Sequence, residues 1–178
     1  MIVVISGTNN SQTKSKIFAS YLHESLQKKT DVAVKLLALD EIKHDYFYPD
    51  MYQQQASSIT DLQDEFILPA TKFMIVSPEY NGGMTGALKL FIDACSVRHY
   101  QTSFRGKKVA LVGTATGRAG NLRGMDQLSQ IMNHVGAIVM PNKLPISSLN
   151  TLINGENELI SKSTIKLLDQ HVADLIAF

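Results

Sequence analysis

Tryptophan is absent, cysteine occurs once, and neither charge sign dominates this chain of 178 residues: 17 lysines and arginines face 16 acids, for a net charge of +1. With bases and acids scattered, no field large enough for nucleic acid or an anionic membrane surface exists, so an anionic ligand has to be held locally. The lone thiol, Cys95, excludes an internal disulfide. No apolar run is long enough to cross a bilayer, and Met1 leads straight into "IVVIS" without a basic segment and signal-type stretch. These absences read as a soluble, cytoplasmic protein. Side-chain nucleophilic chemistry is poorly provided for: there is no G-x-S-x-G elbow. His23, His44, His99, His134 and His171 lie far apart without metal-ligand spacing, so no metal site is expected.

What is present is a regular alternation. Short apolar or β-branched runs recur at "IVVIS" (2–6), "VAVKLL" (32–37), "FMIVS" (73–77), "KVALVG" (108–113) and "AIVM" (137–140). Between them the spacing is helical. Ile17, Tyr21, Leu22 and Leu26 share a face, as do Leu88, Phe91, Ile92 and Cys95, and then Leu122, Met125, Leu128 and Met132. Another helix is expected over 57–68, ended by Pro69, and a closing one through Leu159, Ile160, Leu168, Val172, Leu175 and Ile176. Nearly all-apolar strands alternating with amphipathic helices imply a parallel sheet buried on both faces. The expected fold is therefore α/β: a three-layer, doubly wound, five-stranded parallel sheet of flavodoxin-like order 2-1-3-4-5, one domain over residues 1–178.

In such a sheet ligands sit beyond the carboxyl ends of the strands, near the switch in strand order. Three loops of unusual composition fall there. "SGTNNSQTKS" (6–15) carries hydroxyls and amides at nearly every position, which at a helix start read either as an over-capped terminus or, given more such residues than capping needs, as an anion cradle, the favoured reading. A Walker A loop fails here, because Gln12 stands five residues after Gly7 and Lys14-Ser15 is displaced by one. The dinucleotide fingerprint fails too, since Gly7 is its only glycine. A monophosphate suits the loop best.

The second loop lies in "SPEYNGGMTGALKLFID" (77–93), where Pro78, Gly82 and Gly83 set the backbone while Tyr80 offers an aromatic face and Asn81 both a donor and an acceptor. Turn punctuation explains its glycines but not Glu79, Tyr80 and Asn81 together. The third, "GTATGRAGNLRG" (113–124), adds Arg118 and Arg123, available to an anionic group or simply solvated.

Together these three segments resemble the flavin-binding loops of the NAD(P)H-dependent FMN reductase family, which includes quinone, azo-dye and chromate reductases. The specific match is S-P-E-Y-N-G-(S/G)-x-x-G-x-L-K-x-x-I-D, from Ser77 to Asp93, and the similarity spans roughly residues 1 to 140. The resemblance implies that Thr8, Asn10, Thr13 and Ser15 surround an FMN phosphate. It likewise implies that Pro78, Glu79, Tyr80, Asn81 and Gly82 run along the ribityl chain and ring edge, and that Thr116 and Gly117 approach the other edge. The family often has arginine where this chain has Asn10 and glycine where it has Gln12, which leaves the phosphate charge to the helix start and Lys14. Arg123 fits a G-x-x-R position of the family.

FMN would carry the hard chemistry, with NADPH or NADH as donor and a small-molecule electron acceptor reached in ping-pong order; no side chain is expected to be catalytic. Arg118, Arg123 and Tyr48, the last from the aromatic segment Tyr46–Tyr52, are candidate substrate contacts. The family's habit implies a homodimer or homotetramer. Two rivals stand beside this reading: a flavodoxin-like electron carrier, against which the near-neutral charge and missing tryptophan argue, and a fold relative without cofactor.

Overall fold

Strand β1 (Ile2–Ser6) is buried at every position, as a β-branched run flanked by two parallel neighbours must be. The computed structural model describes residues 1–178 and places β1 between β2 (Val34–Ala38) and β3 (Lys72–Pro78), with β4 (Lys108–Thr114) beyond β3. The sheet order is β2-β1-β3-β4-β5, all parallel, with β1 starting level with its neighbours: Ile2 opposite Val34 on one side and Lys72 on the other.

Helices cover both faces. The period-2 alternation sends Ile2, Val4, Met74, Val76, Ala110 and Val112 towards α1 (Ser15–Lys29) and α6 (Lys162–Ala177). Val3, Ile5, Phe73, Ile75, Val109 and Leu111 face the opposite layer, made of α2 (Ser57–Leu62), α3 (Gly86–Ala94) and α5 (Leu122–His134). A short helix α4 (Tyr100–Ser103) precedes β4. No helix is long and apolar enough to cross a membrane.

Three elements differ from the sequence expectation. The fifth strand is split into β5 (Ile138–Val139) and β6 (Leu144–Ile146), both on β4. Val109 pairs with Val139 and Val112 with Leu144, so β4 advances three residues while its neighbour uses five; Pro141, which has no N–H for the ladder, sits in the excess. Leu159 and Ile160 precede α6, because Ser161 caps it and Leu159 bridges back to Ile153. Finally, α2 passes into a π-helical turn (Gln63–Ile67) before Pro69, with Leu68 N–H bonded to the Gln63 carbonyl at 2.8 Å. Lys107 caps that turn, donating to the carbonyls of Ile67 and Leu68 at 2.5 and 3.0 Å, and burial lowers its pKa to about 8.

His171 is 2 % exposed on the sheet-facing side of α6. Burial holds its pKa below the ordinary 6.5, partly opposed by Asp174 and the Leu111 backbone. Just below 6.5 the unfolded chain therefore binds a proton that the folded chain does not, and stability falls as pH falls through that window. Urea midpoints should drop between about pH 7 and about pH 5, and His171→Leu should flatten the drop. An equal slope in the variant would assign the acid sensitivity elsewhere.

Candidate flavin site at the strand switch

The chain leaves β1 towards β2 on one side and later returns to β3 on the other, so a crevice opens between the ends of β1 and β3. A cleft of about 300 Å³ lies there, lined by Gln12, Thr13, Lys14 and Ser15 of the first loop, Pro78, Glu79 and Tyr80 of the second, and Thr114, Ala115 and Thr116 at the end of β4, with Leu149 closing one wall. A larger depression of about 770 Å³ runs along the outer side of α1 to Asn157–Leu159 and shares Gln12, Thr13 and Lys14. The smaller cleft is the candidate site, because residues of all three loops line it and not the larger depression.

Cross-loop hydrogen bonds fix the arrangement. Thr85 caps α3 by accepting from Leu88 N–H at 3.1 Å, and its hydroxyl donates to the Gly7 carbonyl at 2.5 Å, tying the second loop to the first. Ser15 Oγ and Thr114 Oγ1 meet at 2.7 Å, joining the start of α1 to the end of β4. Asn10 Nδ2 donates to the Tyr80 hydroxyl at 3.0 Å across the mouth. Asn121, buried at φ 62° before α5, donates through Nδ2 to the Ser77 carbonyl at 2.8 Å.

The second loop turns tightly. Tyr80 and Gly83 exchange both backbone hydrogen bonds at 3.0 Å, with Asn81 at φ 52° and Gly82 at φ 76° between them. This is the two-residue turn with positive φ at both central positions that Asn-Gly favours. Asn81 and Gly82 are thus accounted for by backbone conformation, and the turn carries the ring of Tyr80, 43 % exposed, to the cleft mouth.

Among the candidate residues the structure brings together Thr13, Ser15, Pro78, Glu79, Tyr80 and Thr116 as cleft lining. Thr8 is buried behind the loop, where its hydroxyl accepts from Asn10 N–H, while Asn81, Gly82 and Gly117 are outside the cleft lining. Arg118 and Arg123 are exposed and outside the lining. Tyr48 sits apart, beside a separate depression with Asp45, Gln55 and Asp61, its hydroxyl donating to the Gln54 carbonyl. Sequence reasoning missed Ser77, Thr85, Thr114 and Asn121; a hydroxyl directly after an apolar strand run, as at Thr114, is the signal that could have found one of them. Cys95 is fully buried, and burial pushes its thiol pKa far above the usual range, which leaves it an inert core group.

The donor set suits an anion with a polyol tail. Gly7, Thr8, Asn10, Gln12, Thr13 and Ser15 N–H groups are bonded within the chain, whereas those of Ser11, Lys14 and Lys16 are unbonded at the positive end of α1, whose first turn holds no acid. Ser6 Oγ and Asn121 Oδ1, buried beneath the loops, also lack partners. A phosphate such as that of FMN fits the unbonded N–H groups at the start of α1.

A doubly wound parallel sheet with such a cradle at its switch point defines a flavodoxin-like protein. More narrowly, the chain belongs to the NADPH-dependent FMN reductase family, whose model matches residues 1–151. A 2-hydroxy-1,4-benzoquinone reductase of Burkholderia sp is 24% identical over 160 residues, covering 85% of this chain and 87% of that protein. An NAD(P)H-dependent FMN reductase of Pseudomonas aeruginosa is 32% identical over 114 residues, 62% of this chain and 60% of that one. Among solved structures, the flavoenzyme NAD(P)H:(acceptor) oxidoreductase FerB from Paracoccus denitrificans superposes with a TM-score of 0.77 at 21% identity, covering 99% and 94% of the two chains. The chain is thus an enzyme of the NAD(P)H-dependent FMN reductase type, with FMN as cofactor and NAD(P)H as electron donor.

Proposed function

We propose that this chain takes hydride from NADPH or NADH onto FMN held in the 300 Å³ cleft and passes the electrons to a small acceptor, a quinone, free flavin, azo compound or metal oxyanion, in ping-pong order. The observation that supports this most is the convergence of the three signature loops on one cleft at the strand switch. FMN, when bound, supplies the hydride-accepting and electron-donating chemistry. The protein's share is binding and orientation. The start of α1, with Thr13 and Ser15, takes the phosphate; the loop from Pro78 to Gly82 lies along the ribityl chain and ring edge; Thr116 and Gly117 approach the opposite edge. The open mouth beside Tyr80 lets donor and acceptor use one exposed face in turn. Arg118 and Arg123 attract an anionic group from the rim. We assign the protein to the cytoplasm as a homodimer or homotetramer, its exposed Phe47 and Tyr52 being suited to a subunit contact that also brings Tyr48 near the mouth.

The test is to reconstitute purified protein with FMN, remove unbound flavin, and follow absorbance at about 450 nm as NADPH and then NADH are added anaerobically. Bleaching within seconds, and parallel double-reciprocal lines with a quinone acceptor, are expected. Retained colour that neither nucleotide bleaches would replace this reading with an electron carrier; no retained colour would replace it with a cofactor-free module. The same preparation should sediment above monomer mass at micromolar concentration, and a monomer would overturn the assembly.

A further inference from the structure

Two lysines flank the start of α1, and they are differently employed. Lys16 is committed to Asp40 and Glu41, at 2.8 and 2.5 Å. Lys14, at the N-cap position and in the lining of the cleft, meets no carboxylate; its ammonium donates instead to Asn150 Oδ1 at 3.0 Å. Asn150 lies in a 3-10 turn (Leu149–Thr151) beyond β6, far from the three signature loops in sequence. That turn is pinned over the cleft: Ser148 N–H bonds to the Gly117 carbonyl at 3.1 Å and Leu149 N–H to the Ala115 carbonyl at 3.2 Å.

The chemistry of the pair is directional. An ammonium offers only donors, so the amide must turn its oxygen to Lys14, which leaves both Nδ2 hydrogens free. Lysine and amide together present donors and one positive charge beside the start of α1, where the N–H groups of Lys14 and Lys16 are unbonded and where Lys14 and Leu149 line the cleft.

Resting on the FMN reading above, we propose that Lys14 and Asn150 form the clamp for the flavin phosphate. Lys14 supplies the charge. Asn150 holds the ammonium through its Oδ1 and donates to the phosphate through its Nδ2.

The test compares FMN with riboflavin, which lacks the phosphate, by flavin fluorescence quenching in the full chain. Lys14→Met should weaken FMN roughly 10- to 100-fold and leave riboflavin unchanged; Asn150→Ala should weaken FMN roughly 3- to 10-fold. Lys14→Arg should restore FMN binding to within about threefold, and added salt should narrow the difference between FMN and riboflavin in the wild type but not in Lys14→Met. Equal losses for both flavins, or an undiminished FMN affinity in Lys14→Met, would overturn the clamp while leaving the FMN site standing. A wild-type chain that binds neither flavin would overturn the site and the clamp together.

Discussion

Gln63→Leu is expected to cost about 3–5 kcal/mol of unfolding free energy, the largest stability loss from a single polar side chain here. Gln63 is fully buried in the π-helical turn that follows α2. Its Nε2 lies 2.7 Å from the carbonyls of Cys95 and Arg98 and from Ser103 Oγ, while its Oε1 accepts from Gln55 Nε2 at 3.1 Å and Arg98 Nε at 3.2 Å. Side chains take carbonyls at and beyond the end of α3: Gln55 donates to that of Ala94 at 2.8 Å, and Gln63 reaches those of Cys95 and Arg98. Leucine would fill a similar volume but take the amide away from the carbonyls of Cys95 and Arg98, leaving them the single hydroxyl of Ser103, at 3.1 and 3.5 Å, to share, at about 1–3 kcal/mol for each one left short. The chain from 95 to 104, which includes His99 at φ 54° and an Arg98–Asp64 ion pair, would lose its anchor. Urea unfolding of wild type and variant measures it. A loss under about 1 kcal/mol would mean that water replaces the amide, and the π turn would then be a local accident rather than the device that points Gln63 inward.

None of that network could be read from the sequence, and the reason is physical. The apolar runs at 2–6, 73–77 and 108–113 announce their strands because burial on both faces demands nothing but apolar residues. Right-handed crossovers narrow the sheet order without fixing it, and 2-1-3-4-5 is the common choice among those left for five strands. Buried polar residues carry no such periodic signature: Gln63, Ser77, Thr114 and Asn121 are explained only by partners more than thirty residues away. Position in a helix pattern also misled where solvent intervened, as at Leu122, which is 47 % exposed at the start of α5 although its spacing matches Met125 and Leu128. The three loops stood out in the sequence by composition, but Asn81 was read there as a donor and acceptor beyond what a turn explains, whereas the structure gives it a turn position at φ 52°. Asn150 was not legible at all, since a lone asparagine in "SSLNT" resembles any other loop residue.

The second large effect is expected at Gly124, and it tests the junction between the second and third loops. A Cβ there would lie 2.1 Å from Asn121 Oδ1 and 2.7 Å from the carbonyl carbon of Gly83. Neither obstacle gives way cheaply. Asn121 is buried and bonded to Ser77 O, and Gly83 belongs to the closed turn with Tyr80. In Gly124→Ala, α5 must retreat from the turn, or the turn must move and carry Tyr80 away from the cleft; overpacking of this kind costs typically about 1–3 kcal/mol and sometimes more. On the FMN reading the same displacement opens the ring-edge side, so FMN and riboflavin affinities should fall together, by tenfold or more on the order of one such overpacking cost. That parallel loss is the opposite of the phosphate-selective loss expected from Lys14→Met, and the two variants thereby separate the ends of the bound flavin. Gly86→Ala is the control: it lies at the start of α3 with nothing within 4 Å of the added methyl, and alanine favours a helix. If Gly124→Ala binds flavin like Gly86→Ala, the contact between the α5 start and the Tyr80–Gly83 turn does not shape the site, and the ring edge is held by the second loop alone.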